Sequence, residues 1–192
     1  LCFYQQFFSL LSLIASALTL VGIVIFRPFM ANNSIARIIV ILSIVGSILF
    51  LPSVGMYYGF HNWTASLTNG VVDARFIAII NTALESPLGQ VAMIPLLAWI
   101  AKNAPRHLKA TFFAIFASFT NLALSANALG TKYLNEIFTI TREVKDKVTN
   151  AIVSSADYSE LGILLIAVTL LTLLIPIIAV WIVQKSKFKT NE

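Results

Sequence analysis

The sequence contains few charged residues. Asp, Glu, Lys and Arg make up 11% of its 192 residues, whereas 58% of the residues are hydrophobic. Ordinary soluble domains carry about 25% charged residues, and so few charges do not cover the surface of a soluble globule of this size. The composition therefore predicts an integral, multi-pass membrane protein with the lipid bilayer as its first partner.

Residues that carry metal or covalent chemistry are also scarce. Cys2 is the single cysteine, which excludes an intrachain disulfide and a cysteine-based metal site. His61 and His107 are the only histidines, and nothing around them has the spacing of metal ligands. No G-x-x-x-x-G-K-[ST] run is present. We therefore predict no cofactor, no metal and no enzymatic activity, and the scattered cations predict no nucleic-acid binding.

Five stretches are long and apolar enough to cross about 30 Å of hydrocarbon, which takes roughly 20 helical residues. They are predicted as helices at residues 3–26, 35–58, 76–100, 108–129 and 161–183. No stretch alternates in the way of a barrel strand. The sequence predicts one all-α, polytopic transmembrane bundle over residues 1–192, with an outer loop at 139–158 and a cytoplasmic tail at 184–192.

The connections alternate in charge. The first and third connections together with the tail carry eight basic residues and one acid, whereas the other two connections carry five basic residues and six acids. The positive-inside rule places the first set, and the C-terminus, in the cytoplasm. Five helices with an outside start then imply at least one helix upstream, giving the six of half a major-facilitator fold, in the inner membrane of a bacterial host. The missing N-terminal helices are accordingly an expected partner.

One acid, Glu85, lies well inside a predicted span. An ionised carboxylate at the bilayer centre costs about 2.5–3.5 kcal/mol on insertion scales, so such residues usually face the bundle interior and often relay protons or cations. Asn81 precedes it by one turn, Gln90 follows five residues later, and Ser86-Pro87 comes directly after it. Because Pro87 lacks a backbone N–H, we expect a kink and a polar site here. A protonated Glu85 that only packs against a neighbouring helix is the alternative.

The fourth helix carries small and polar residues on one face, at spacings of three and four. They are Thr111, Ala114, Ser118, Asn121 and Ser125. Ser118 and Asn121 are therefore further candidates for the solute or proton pathway, although helix packing explains this stripe at least as well. Arg106 and Lys109 lie at the predicted cytoplasmic mouth, where they would steer an anionic solute or simply anchor the topology.

Four short segments form a pattern of their own: GQVAMIPLL at 89–97, AP at 104–105, ATFFAI at 110–115 and SFTNL at 118–122. Gly22, Phe26-Arg27 and the later Arg37 precede them. Together they resemble the folate–biopterin transporter family, a branch of the major facilitator superfamily, whose pattern there has G-Q, M-P, E-A-T-x-F-A-L and S-x-S-N. Lys109 stands where that pattern has an acid.

The resemblance implies a secondary active transporter for a small solute such as an anionic pterin or folate. Glu85 makes proton-coupled symport the mechanism to test. Two alternatives stay open at this point. One is a facilitator for another small solute, such as a drug, sugar or peptide, and the other is a membrane scaffold that transports nothing.

Overall fold

The computed structural model of the chain describes residues 5–89, 91, 93–145 and 152–186. Helices make up most of this part. They are α1 (Gln5–Ile25), α2 (Arg27–Asn32), α3 (Ile35–Tyr57), α4 (Phe60–Leu67), α5 (Ala74–Glu85), α6 (Met93–Asn103), α7 (Lys109–Ile137) and α8 (Leu161–Lys185). A 3-10 turn at Ser86–Leu88 follows α5, and two short strands, β1 (Val144–Lys145) and β2 (Ile152–Ser154), lie between α7 and α8.

Within the described residues, five helical segments are long and apolar enough to cross a membrane. They are Gln6–Ile25, Ile35–Tyr57, Ala74–Asn103, Lys109–Ile137 and Leu161–Lys185. Large apolar side chains along them are open to the surroundings, with Leu13 69% and Val24 72% exposed. This exposure is costly in water but not in lipid, which is as apolar as these side chains. The prediction of an all-α membrane bundle with about five spans is confirmed.

The third span is interrupted where the sequence predicted a kink. Helix α5 ends at Glu85, the 3-10 turn follows, and α6 begins at Met93. Pro87 accounts for the interruption, because its ring removes one backbone donor and clashes with the preceding turn. Pro95 is tolerated in the first turn of α6, where backbone N–H groups have no acceptor within the helix.

Two polar side chains cap the first turns of α3 and α5. Ser34 Oγ accepts a hydrogen bond from the Arg37 backbone N–H (3.3 Å) and caps α3. Asp73 Oδ1 accepts one from the Phe76 backbone N–H (2.8 Å) and caps α5. Each cap satisfies a donor that the helix itself leaves unpaired.

The fourth span and the connection after it differ in detail from the sequence prediction. Helix α7 runs to Ile137, beyond the predicted end at residue 129, since helical hydrogen bonding continues after the apolar run has ended. In the predicted outer loop, β1 pairs with β2 in antiparallel fashion, and an isolated bridge joins Thr141 to Asp157. The strand residues Ile152–Ser154 are exposed.

The contacts divide the chain into two units. The first comprises Leu1–Asn103 with Thr169–Glu192, and the second comprises Ala104–Val168. Within the first unit, α5 packs against α1 and α3, and the 3-10 turn packs against α1. Ile38, Val54 and Ile77 are among its buried side chains. The interruption of the third span is therefore held by α1.

Candidate functional site

The site is built around the close approach of α1 to the interrupted span. Gly22 of α1 is buried against Pro87. A Cβ atom added at Gly22 would lie 2.5 Å from the Cα and the Cβ of Pro87 and 2.7 Å from its carbonyl oxygen. No real Cβ tolerates such distances, so only glycine permits this approach.

A second contact joins the same two elements one turn earlier on α1. Thr19 Oγ1 lies 3.0 Å from the Ser86 carbonyl oxygen and 2.8 Å from the Ala15 carbonyl oxygen of its own helix. Donation to Ser86 gives a backbone carbonyl in the 3-10 turn a side-chain donor. In a membrane interior, where no water is at hand, a backbone acceptor outside regular helix needs such a partner.

Asn81 and Glu85 form the polar pair of this site. They lie four residues apart on α5 and so share one face of the helix. Asn81 Nδ2 lies 3.5 Å from Glu85 Oε2, the outer limit of a hydrogen bond. Asn81 Oδ1 is buried without a hydrogen-bond partner in the described part of the chain. Such an atom is costly to leave unpaired, and each one calls for an explanation.

Glu85 itself is exposed at the end of α5 rather than enclosed between helices. The sequence predicted a carboxylate that faces the bundle interior, and this orientation stays a prediction. Helix α5 ends at Glu85, and the 3-10 turn at Ser86–Leu88 follows directly. Among the described residues, no ion pair involves this carboxylate.

The accessible acceptor of this arrangement is the exposed Glu85 carboxylate, whereas the Asn81 amide oxygen is buried. An ionised carboxylate only accepts hydrogen bonds, and a protonated one also donates. The pair is thus equipped to bind adjacent N–H groups of a solute, or to take up and release a proton. Within residues 5–145 and 152–186, apart from 90 and 92, no cluster of His, Cys, Asp or Glu is placed to hold a metal ion.

The other residues predicted from the sequence lie elsewhere. Gln90 is outside the described residues. Ser118 and Asn121 are exposed on α7, in the second unit, and the Ser118 hydroxyl donates to the Ala114 carbonyl of its own helix (2.9 Å). Arg106 is exposed in the turn before α7, and Lys109 is the first residue of that helix. Of the predicted residues that the structure describes, Asn81 and Glu85 are the two joined by a side-chain hydrogen bond.

Sequence reasoning missed Gly22 and Thr19 as parts of this site. Thr19 belongs to a stripe of hydroxyl residues on α1 that is equally typical of helix packing. The sequence did contain a signal for this contact. Thr19 and Gly22 lie three positions apart on one predicted helix, and Pro87 lies inside another. Spacing shows that Thr19 and Gly22 share a face, but it does not show which helix that face meets.

The five apolar spans define an integral, multi-pass helical membrane protein. The third span is interrupted and carries the polar pair Asn81–Glu85. A sequence profile of the BT1 family matches residues 2–191. The chain belongs to this family of membrane transporters, which is the folate–biopterin transporter family that its motifs resemble. Comparison with curated proteins and with solved structures gives no match.

Proposed function

We propose that the chain forms the C-terminal half of a major-facilitator type transporter that moves a folate- or pterin-like solute in symport with protons. The observation that carries the proposal is the Asn81–Glu85 pair beside the interrupted helix. In transporters, solute and coupling-ion sites lie near the bilayer midplane and are commonly formed by discontinuous helices. Glu85 is the acid of this chain that lies within such a segment.

The chemistry of the pair suits a pterin ring. The pyrimidinone edge of a pterin presents an N–H donor next to a carbonyl acceptor, and a protonated carboxyl matches this edge by accepting one hydrogen bond and donating another. The Asn81 side-chain amide, 3.5 Å from the Glu85 carboxylate, would hold it in place. Protonation of Glu85 would therefore strengthen solute binding. Proton and solute would then be bound together at one side chain, as symport requires.

The polar residues of α7 have a supporting role in this proposal. Ser118 and Asn121 lie on one exposed face of that helix. We assign this face to the solute pathway because amide and hydroxyl groups in a membrane need polar partners. Arg106 and Lys109 precede or begin the helix and would attract the carboxylates of a folate to the entrance.

The basic connections and tail indicate that the C-terminus lies in the cytoplasm. A reporter enzyme that is active only in the cytoplasm, fused after Glu192, is expected to be active. A second fusion, placed in the connection between α7 and α8, is expected to be inactive. The reverse pair of results would invert the proposed orientation.

The proposed function is tested by uptake of labelled solutes into cells that express the protein. We expect uptake of pterin and folate above that of cells lacking it, with no uptake of a sugar, a drug or a peptide. Uptake of one of those solutes without pterin would assign the chain to another facilitator activity. A chain that moves none of them, and whose Glu85→Gln form leaves the host unchanged, would fit a scaffold.

A further inference from the structure

A polar cavity of about 710 Å³ lies at one end of the first unit. Its walls come from α2, the start of α3 and the end of α6, and they include Asn33, Arg37, Trp99, Lys102 and Asn103. No acidic residue lines it. In the part of the chain that the structure describes, neither Arg37 nor Lys102 has a carboxylate partner. The cavity is therefore a site of uncompensated positive charge.

The Arg37 guanidinium is held in place by a neighbouring amide. Asn33 Nδ2 donates to the Phe29 carbonyl (2.9 Å), and Asn33 Oδ1 accepts from Arg37 Nη1 (3.3 Å). A guanidinium has five N–H donors, so this bond leaves others for a ligand. Ser34, the cap of α3, also lines the cavity, and the helix start adds positive potential there. These features favour an anion with several oxygen acceptors.

An apolar groove of about 290 Å³ adjoins this cavity and shares Ile35 and Trp99 with it. The groove is lined by α3, α6 and the C-terminal half of α8, and it extends along α8 from Gln184 to Pro176. That stretch of helix is about 12 Å long at 1.5 Å per residue. The groove thus leads from the cationic end of the unit toward the hydrocarbon region.

We propose that the cavity and the groove together bind one anionic phospholipid. The phosphate headgroup would lie between Arg37 and Lys102, and an acyl chain would follow the groove past Ala179. Basic pockets between membrane helices are suited to anionic headgroups. A soluble anion would use the cavity but would gain nothing from the groove, and the apolar continuation is what favours a lipid.

The last turn of α8 supports the placement of this region at the headgroup level. Lys185 Nζ lies 4.2 Å from the centre of the Trp181 ring. Tryptophan and lysine are the residues that anchor helix ends at the membrane interface. Trp99, at the junction of cavity and groove, is 40% exposed and is of the same type. A headgroup at this depth would meet both cations.

The test measures lipid retained by the purified full chain, by native mass spectrometry after exposure to equal amounts of phosphatidylglycerol and phosphatidylcholine. We expect the protein to retain about ten-fold or more phosphatidylglycerol than phosphatidylcholine. The double variant Arg37→Gln/Lys102→Gln should lose this preference. Arg75→Gln, which removes an exposed cation outside the cavity, is the matched control and should keep it.

Two further arms separate a lipid from a free anion. Ala179→Trp fills the groove without touching a cation and should lower phosphatidylglycerol retention, whereas Ala17→Trp, on an exposed face of α1, should not. Inorganic phosphate at millimolar concentration should fail to displace the lipid. Equal retention of the two lipids by the unmodified protein would overturn the proposal. Displacement by phosphate together with an unchanged Ala179→Trp variant would also overturn it, in favour of a soluble anion.

Discussion

Gly22 and Pro87 are 65 positions apart in the chain but lie in close contact. The space beside the Gly22 Cα holds a hydrogen atom and has no room for a Cβ. Gly22 permits the contact because it lacks a Cβ, and Pro87 interrupts the helix because it lacks a backbone N–H. The contact holds α1 against the interruption of the third span. The position of Glu85, two residues before Pro87, follows from this contact.

Replacing Gly22 by alanine should therefore destabilise the protein. The new Cβ would meet backbone atoms of Pro87 at about 2.5 Å, which no rotamer change relieves. Overpacking of this kind costs about 1–3 kcal/mol, visible as a lower midpoint of thermal unfolding in detergent. Gly46→Ala is the matched control, because nothing lies within 4 Å of its Cβ position. Equal midpoints for both variants would argue against the close contact.

Thr19→Val removes the hydroxyl that reaches the Ser86 carbonyl and keeps the shape of the side chain. We expect a loss of about 1 kcal/mol, the usual net value of one hydrogen bond. Hydrogen exchange of the Gly89 amide, which donates to the Ser86 carbonyl at 3.3 Å, should become faster. Ser16→Ala is the control, since the Ser16 hydroxyl donates to Ser12 in its own helix. Faster exchange in both variants, to the same degree, would contradict a role for Thr19 at the break.

Lys109 places a positive charge at the start of α7, where the helix dipole favours a negative one. Lys109→Glu, which introduces the type of residue found in the family pattern, should stabilise the first turn by about 0.3–1 kcal/mol. Slower hydrogen exchange of the amides of residues 111–113 would report this gain. Lys109→Gln should show a smaller effect of the same sign. Faster exchange in the Glu variant would show that the lysine has a favourable partner instead.

Asp157 supports the connection between α7 and α8. Its Oδ1 accepts hydrogen bonds from the Ser159 backbone N–H (3.0 Å) and the Ser159 hydroxyl (2.7 Å). These bonds hold the pKa of the Asp157 carboxyl below its usual range, the backbone bond having the larger effect. Their stabilising effect is present above the ordinary aspartate pKa and is lost as the pH falls through the lowered one.

The pKa of Asp157 is measurable by nuclear magnetic resonance of its side-chain carboxyl carbon. Ser159→Ala keeps the backbone donor and loses the hydroxyl, so the titration midpoint should rise toward the ordinary value. Ser155→Ala serves as the control, because the Ser159 donors, not Ser155, bind the carboxylate. A midpoint that is the same in the Ser159 variant and in the unmodified protein would contradict the assignment.

The sequence predicted most of the fold because membrane spans depend on local hydropathy, and the starts of four of the five spans agree within two residues. The interruption at Pro87 was also predictable, since a missing N–H acts within one turn. Glu85 was found because it is an acid inside a predicted span, and Asn81 because it precedes Glu85 by one helical turn. By contrast, the Thr19–Ser86 bond spans 67 positions, and periodicity indicates only the face that Thr19 occupies.

Three other features could not be predicted from the pattern of apolar residues. Hydropathy ended the fourth span at residue 129, but α7 continues through a polar segment with an ion pair between Lys132 Nζ and Glu136 Oε1 (3.7 Å). The described strand residues Val144 and Ile152–Ser154 are all exposed, so an alternation of buried and exposed side chains could not indicate these strands. Helix α5 ends at Glu85, and the exposure of this side chain is visible only in the three-dimensional structure.

The central claim is that Glu85 links proton and solute movement. Its most direct measurement compares initial rates of labelled pterin uptake, with and without an inward proton gradient, for the unmodified protein, Glu85→Gln and Glu136→Gln. Glu136 is the matched control, because its exposed carboxylate pairs with Lys132 and lies outside the proposed site. We expect the gradient to stimulate the unmodified protein and the Glu136 variant. In Glu85→Gln the rate should fall by about ten-fold or more and no longer respond to the gradient. An unchanged rate and gradient response in Glu85→Gln would contradict the claim.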